Sequence, residues 1–89
     1  MNHISFDFAE IGDVQDFYRQ FSHKYAIDTA FGNNLDALWD ALTGMIELPS
    51  RVTFRHLATH HDATQFEGII AVMREAEEAS AGKFSLRIR

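Results

Sequence analysis

Three short stretches of this chain alternate apolar and polar residues, and segments with helical spacing lie between them. In the first, Ile4, Phe6 and Phe8 face one way while Ser5 and Asp7 face the other. In the second, Val52 and Phe54 oppose Arg51, Thr53 and Arg55. In the third, within 83–89, Phe84, Leu86 and Ile88 oppose Ser85, Arg87 and Arg89. A period of two marks a half-buried strand. Strands joined through helical crossovers pair in parallel, because a tight turn cannot return the chain in the same direction. Parallel sheets covered on both faces read as continuous apolar runs, and these three do not. The fold class predicted is therefore α/β: a two-layer, three-stranded parallel sheet with helices packed on one face. Arg51, Arg55, Arg87 and Arg89 should then lie on the open face and most acids on the helices.

The helices between the strands announce their ends. Asp13 is placed to cap a helix whose apolar positions are Val14, Phe17, Tyr18, Phe21 and Tyr25, with His23 and Lys24 near its C-terminus. Aromatics at that spacing are read as core. Residues 27–33 form a loop containing Gly32, and a short helix follows from Asn34 to Gly44. Asn34 is its N-cap, and Gly44 is expected to carry the chain out through a left-handed residue. Leu35, Leu38, Trp39 and Leu42 share one stripe of this helix at about 100° per residue. Pro49 stops any continuation. A connection at 56–62 leads to a last helix starting near Asp62 or Thr64, burying Phe66, Ile69, Ile70, Met73 and Ala76, and ending around Gly82.

With 89 residues the chain is read as a single domain spanning 1–89. A hydrophobic share of 46% supplies one core without staples, and the lack of cysteine excludes a disulfide framework and thiolate chemistry. The N-terminal residues do not resemble a signal peptide, and no apolar run is long enough to span a bilayer. A cytoplasmic protein with no membrane partner is expected. Thirteen acids against eight bases give a net charge of −5. Affinity for nucleic acid comes largely from neutralised phosphates, so no nucleic-acid partner is expected; a basic partner suits the charge.

Asp36 and Asp40 stand one turn apart on the short helix, beside its apolar stripe. Asp36 gains from the dipole at the N-terminus, whereas Asp40 lies too far along to share much of it. Like charges at this spacing cost about 0.2–0.5 kcal/mol, which suggests a use outside the fold. His56, His60 and His61 lack the second ligand cluster of a zinc site and are read as solvated loop residues, with no metal or cofactor. The two aspartates share one environment, whereas acid–base chemistry needs pKa values pushed apart. No phosphate loop, nucleophile elbow or dinucleotide fingerprint is present. No catalytic residues are assigned, and the chain is not read as an enzyme. The arginine row of the strands is read as a solvated surface.

The stretch Phe31-Gly32-x-Asn34-Leu35-Asp36-Ala37-Leu38-Trp39-Asp40-x-Leu42-Thr43-Gly44 resembles the signature of the barstar family, the intracellular inhibitors of barnase-type ribonucleases. The likeness extends loosely over the whole chain, with Arg74-Glu75-Ala76 recurring in the last helix. It implies three parallel strands with helices on one side. It also implies a partner, a basic barnase-like ribonuclease, whose active site the second helix and the preceding loop would plug. On this resemblance the partner-binding residues are Phe31, Gly32, Asn34, Asp36, Trp39, Asp40, Thr43, Gly44 and Glu75. Asp40 would take the place of an RNA phosphate, Asp36 would pair with basic groups at the rim, and Glu75 would add a peripheral ion pair. The free inhibitor is expected to be a monomer. The pattern departs from the family where Ala30 and Phe31 replace two tyrosines, Asn33 an acid and Met45 a tryptophan. These changes leave an alternative: a protein-interaction module on the same scaffold whose partner is not a ribonuclease.

Overall fold

The computed structural model describes residues 1–27 and 32–89. Its elements run β1 (Asn2–Asp7), α1 (Val14–Lys24), α2 (Leu35–Gly44), β2 (Ser50–Arg55), α3 (Glu67–Ala79) and β3 (Phe84–Ile88), with two short 3₁₀ turns between β2 and α3. The strands form one parallel sheet in the order β1-β2-β3. Register sets Ile4 beside Val52 and Leu86, and Phe6 beside Phe54 and Ile88.

One face of this sheet is dry. Phe6, Val52, Phe54, Phe84 and Leu86 are buried there, together with Phe17, Tyr18 and Phe21 of α1, Leu38, Ala41 and Leu42 of α2, and Ile69, Met73 and Ala76 of α3. The other face carries Ser5, Arg51, Thr53, Ser85 and Arg87, all at least partly exposed. The expected two-layer, one-sided architecture is what forms. Its centre is aromatic: Phe6 lies 4.9 Å from Phe17, and Phe8 lies 4.8 Å from both Phe54 and Phe66, ring centre to ring centre. Offset and edge-on pairs at these distances add to the burial of the rings themselves. Ser50 is the one buried polar side chain among the described residues, and its hydroxyl is satisfied by Tyr25 Oη at 2.8 Å. Burial pushes the Tyr25 phenol up from its ordinary range, and that hydrogen bond works against the shift.

Several local expectations are corrected. The last helix starts at Glu67, because Ala63–Phe66 forms a 3₁₀ turn first. It ends at Ala79, and the left-handed exit is shared by Ala81 (φ 54°) and Gly82 (φ 83°). Ile88 is 41% exposed, since β3 is an edge strand that runs past the helical cover. The histidines are not simply solvated. His60 Nε2–H donates to Ile11 O at 2.6 Å, while the Asp62 N–H donates to His60 Nδ1 at 2.9 Å. Those two bonds require the neutral tautomer protonated on Nε2. The ring also packs edge-on against Phe8 and Phe66, so His60 ties the 3₁₀ segment to the core. His56 Nδ1–H donates to the Asp7 carboxylate at 2.7 Å, which links the ends of β1 and β2. Among the described residues no cluster of histidine and acid could hold a metal, and no helix is long and apolar enough to cross a membrane.

Candidate functional site: an acidic ridge on the second helix

The second helix begins as its sequence indicates. Asn34 is extended (φ −150°), and its Oδ1 accepts from the Ala37 N–H at 2.8 Å. A Cβ on Gly32 would lie 3.1 Å from the Asn34 side chain, so glycine leaves the capping amide its room. Asn33 Nδ2 donates to Gln15 Oε1 at 3.2 Å, tying this entry to α1. The exit differs from expectation. Gly44 is the last helical residue, and Met45 follows in right-handed conformation, so no left-handed glycine ends α2.

The buried face is rotated relative to the apolar stripe of the sequence. Leu38, Ala41 and Leu42 are buried, Trp39 is half-buried and Leu35 is 41% exposed. Ala41, and not Leu35, completes the buried face; α2 packs on α3, where the Leu35 side chain lies against Gly68. The rotation changes the setting of the acids. At about 100° per residue, Asp36, Asp40 and Thr43 fall within one narrow arc opposite Leu38, Ala41 and Leu42. They form a ridge facing away from the core rather than beside the stripe.

Both carboxylates are exposed, and among the described residues neither has a hydrogen bond or ion pair. Among the described residues three other acids form ion pairs: Asp16 with Arg19 at 2.7 Å, Glu77 with Arg74 at 3.0 Å, and Asp7 with His56. Hydrogen bonding holds Asp16 (from Arg19, then the Gly12 N–H) and Asp7 (from His56, then the Ala9 N–H) below the usual carboxylate range. The ridge lacks such partners. The Thr43 hydroxyl is already committed, donating to Trp39 O at 2.7 Å. Gly44 is exposed, with nothing within 4 Å of where a Cβ would stand. Glu75 is exposed on α3, which packs on α2, but it makes no bond to the ridge. Phe31 lies outside the described residues. Four of the eight bases, Arg51, Arg55, Arg87 and Arg89, lie on the outer sheet face or at its end, away from the helical layer.

A parallel three-stranded sheet covered on one side is the fold that the resemblance at 31–44 implied. The family model described as "Barstar (barnase inhibitor)" matches residues 1–89. The chain belongs to the barstar family. The family's members are inhibitors, not enzymes. A relative from Bacillus subtilis (strain 168), named "Putative ribonuclease inhibitor YrdF", is 26% identical over 90 residues, covering 99% of this chain and 99% of the relative. Membership of a family of ribonuclease inhibitors agrees with a site whose exposed, unpaired groups are all anionic or neutral.

Proposed function

We propose that this protein inhibits a basic, barnase-like ribonuclease by seating the α2 ridge and the loop before it in the enzyme's active site. Asp40 would stand where an RNA phosphate lies, Asp36 would pair with basic groups at the rim, and Glu75 would add a peripheral pair. Phe31, Gly32, Asn34, Trp39, Thr43 and Gly44 complete the contact surface. The observation that carries this reading is the pair of exposed carboxylates without partners on one helix of a barstar-family chain. Carboxylates matched to guanidinium groups form strong, short, charge-assisted bonds, and opposite fields accelerate encounter. The inhibitor acts as a monomeric single domain in the cytoplasm of the producing cell, and it needs neither cofactor nor nucleic acid. The test is inhibition of a barnase-type ribonuclease by the wild-type chain and by Asp40→Ala; equal inhibition by the two would refute phosphate mimicry.

A second reading is favoured by the residues at 30, 33 and 45, where Ala30, Asn33 and Met45 stand in place of two aromatics and an acid. On this reading the scaffold is an interaction module with a partner that is not a ribonuclease. Salt separates the two. Capture through the acidic ridge weakens as salt rises, whereas capture through Phe31 and the exposed Met45 does not.

A further inference from the structure

Beside the acidic ridge a surface groove of about 410 Å³ opens between the C-terminal ends of α2 and α3. Its apolar lining comes from Trp39, Leu42, Leu48 and Ala79. Leu42 is buried and Leu48 is 38% exposed. The polar groups at the rim are largely committed within the chain. Thr43 Oγ1 donates to Trp39 O, and Ser80 Oγ accepts from the Phe84 N–H at 2.9 Å. Lys83 is different: it is exposed, and among the described residues it forms no ion pair. The groove thus offers an apolar floor with one available cation, directly against a ridge that offers two available anions.

We infer that this groove is a specificity pocket for the same ribonuclease, receiving one aliphatic or aromatic side chain of the enzyme with a carboxylate beside it to meet Lys83. The inference rests on the ribonuclease-inhibitor reading. Thr43 belongs both to the groove and to the ridge, and Trp39 both to the groove and to the proposed contact surface, so a partner seated on the ridge reaches the groove's mouth. The ridge alone would attract any basic enzyme. A neighbouring apolar pocket of opposite charge admits only those carrying the matching pair, because an unmatched ammonium at a closing interface is left desolvated and unpaired.

The test is association and dissociation on an immobilised basic barnase-type ribonuclease, with Lys83→Glu, Ala79→Trp and Asp40→Ala compared with wild type. Long-range attraction to a basic enzyme would make Lys83→Glu bind faster and hold at least as long. The pocket predicts the opposite sign for release: Lys83→Glu and the groove-filling Ala79→Trp should each dissociate roughly tenfold faster or more, with association no slower for Lys83→Glu and little changed for Ala79→Trp. Ala79 is an exposed helix-terminal residue, so the variant should keep the wild-type unfolding midpoint. Dissociation of Lys83→Glu and Ala79→Trp as slow as wild type, with Asp40→Ala weakened, would overturn the pocket and leave the inhibitor reading standing. Binding unaffected by Asp40→Ala, or no binding by wild type, would overturn both.

Discussion

Asp40→Ala should make this protein more stable while making it a poorer inhibitor. Asp40 is the sixth of ten residues in α2, exposed and without a partner among the described residues. Replacing aspartate by alanine in a helix interior gains up to about 0.7 kcal/mol of intrinsic propensity. Removing the repulsion from Asp36 one turn earlier gains about 0.2–0.5 kcal/mol more. Nothing is lost to offset these gains, so the variant should be stabilised by about 0.5–1 kcal/mol. For a domain of this size that raises the unfolding midpoint by about 2–8 °C. Asp36→Ala differs in sign structure. It also relieves the repulsion, but it gives up an acid in the first turn worth about 0.3–1 kcal/mol against the helix dipole. Its net effect should stay within about 0.9 kcal/mol of zero by the same terms, below the full gain of Asp40→Ala. Thermal unfolding followed by circular dichroism at about 0.01 M and about 1 M salt separates the contributions. The Debye length falls from about 30 Å to about 3 Å over that range. The part of the Asp40→Ala gain due to repulsion should vanish at high salt, and the propensity part should persist. A loss of stability beyond about 1 kcal/mol on Asp40→Ala would mean that the carboxylate serves the fold, an outcome typical of lost buried or paired groups. The ridge would then not be free for a partner.

Four further outcomes follow from the same structure. Leu38→Ala, at a fully buried position, should cost about 2–5 kcal/mol in denaturant unfolding, and a cost below about 1 kcal/mol would mean the α2 interface is loosely packed. Gly68→Ala would bring a methyl to 3.1 Å from Leu35 Cδ1, the far end of a partly exposed, flexible side chain; that chain can yield, so the helix should gain up to about 1 kcal/mol, and destabilisation would show that α2 cannot move. Gly44→Ala meets open space on a helical residue, so the fold should be unchanged or stabilised by up to about 1 kcal/mol in thermal unfolding, while ribonuclease inhibition falls if the partner's backbone comes close there. The fourth concerns acid. Asp7 and Asp16 have folded pKa values below their unfolded ones, so their contribution is fully present above the unfolded range near pH 4 and is lost as pH falls through the folded values; Asp7→Asn should flatten that part of the acid unfolding curve, and an unaltered slope would refute the His56 linkage.

Strand positions were legible because burial on one side imposes a period of two, and Phe6, Val52, Phe54, Phe84 and Leu86 obey it. Helix starts at Asp13 and Asn34 were legible because a cap is a local bond, made within three residues along the chain. The pairing of Asp36 with Asp40 on one edge follows from helix geometry alone. Other features depend on which surfaces meet. The rotation that buries Ala41, leaves Leu35 partly exposed beside Gly68 of α3 and turns the two acids outward is set by how α2 seats on the rest of the core. His60 became a strut because residues far apart in sequence, Ile11 and Asp62, converge on its two ring nitrogens. The groove at Leu48, Ala79 and Lys83 has no periodicity or motif, since its walls are the ends of elements far apart in sequence. Local bonds and repeating burial are written into neighbouring residues; the direction a helix face points, and the hollow left between two helix ends, are settled only when the layers pack.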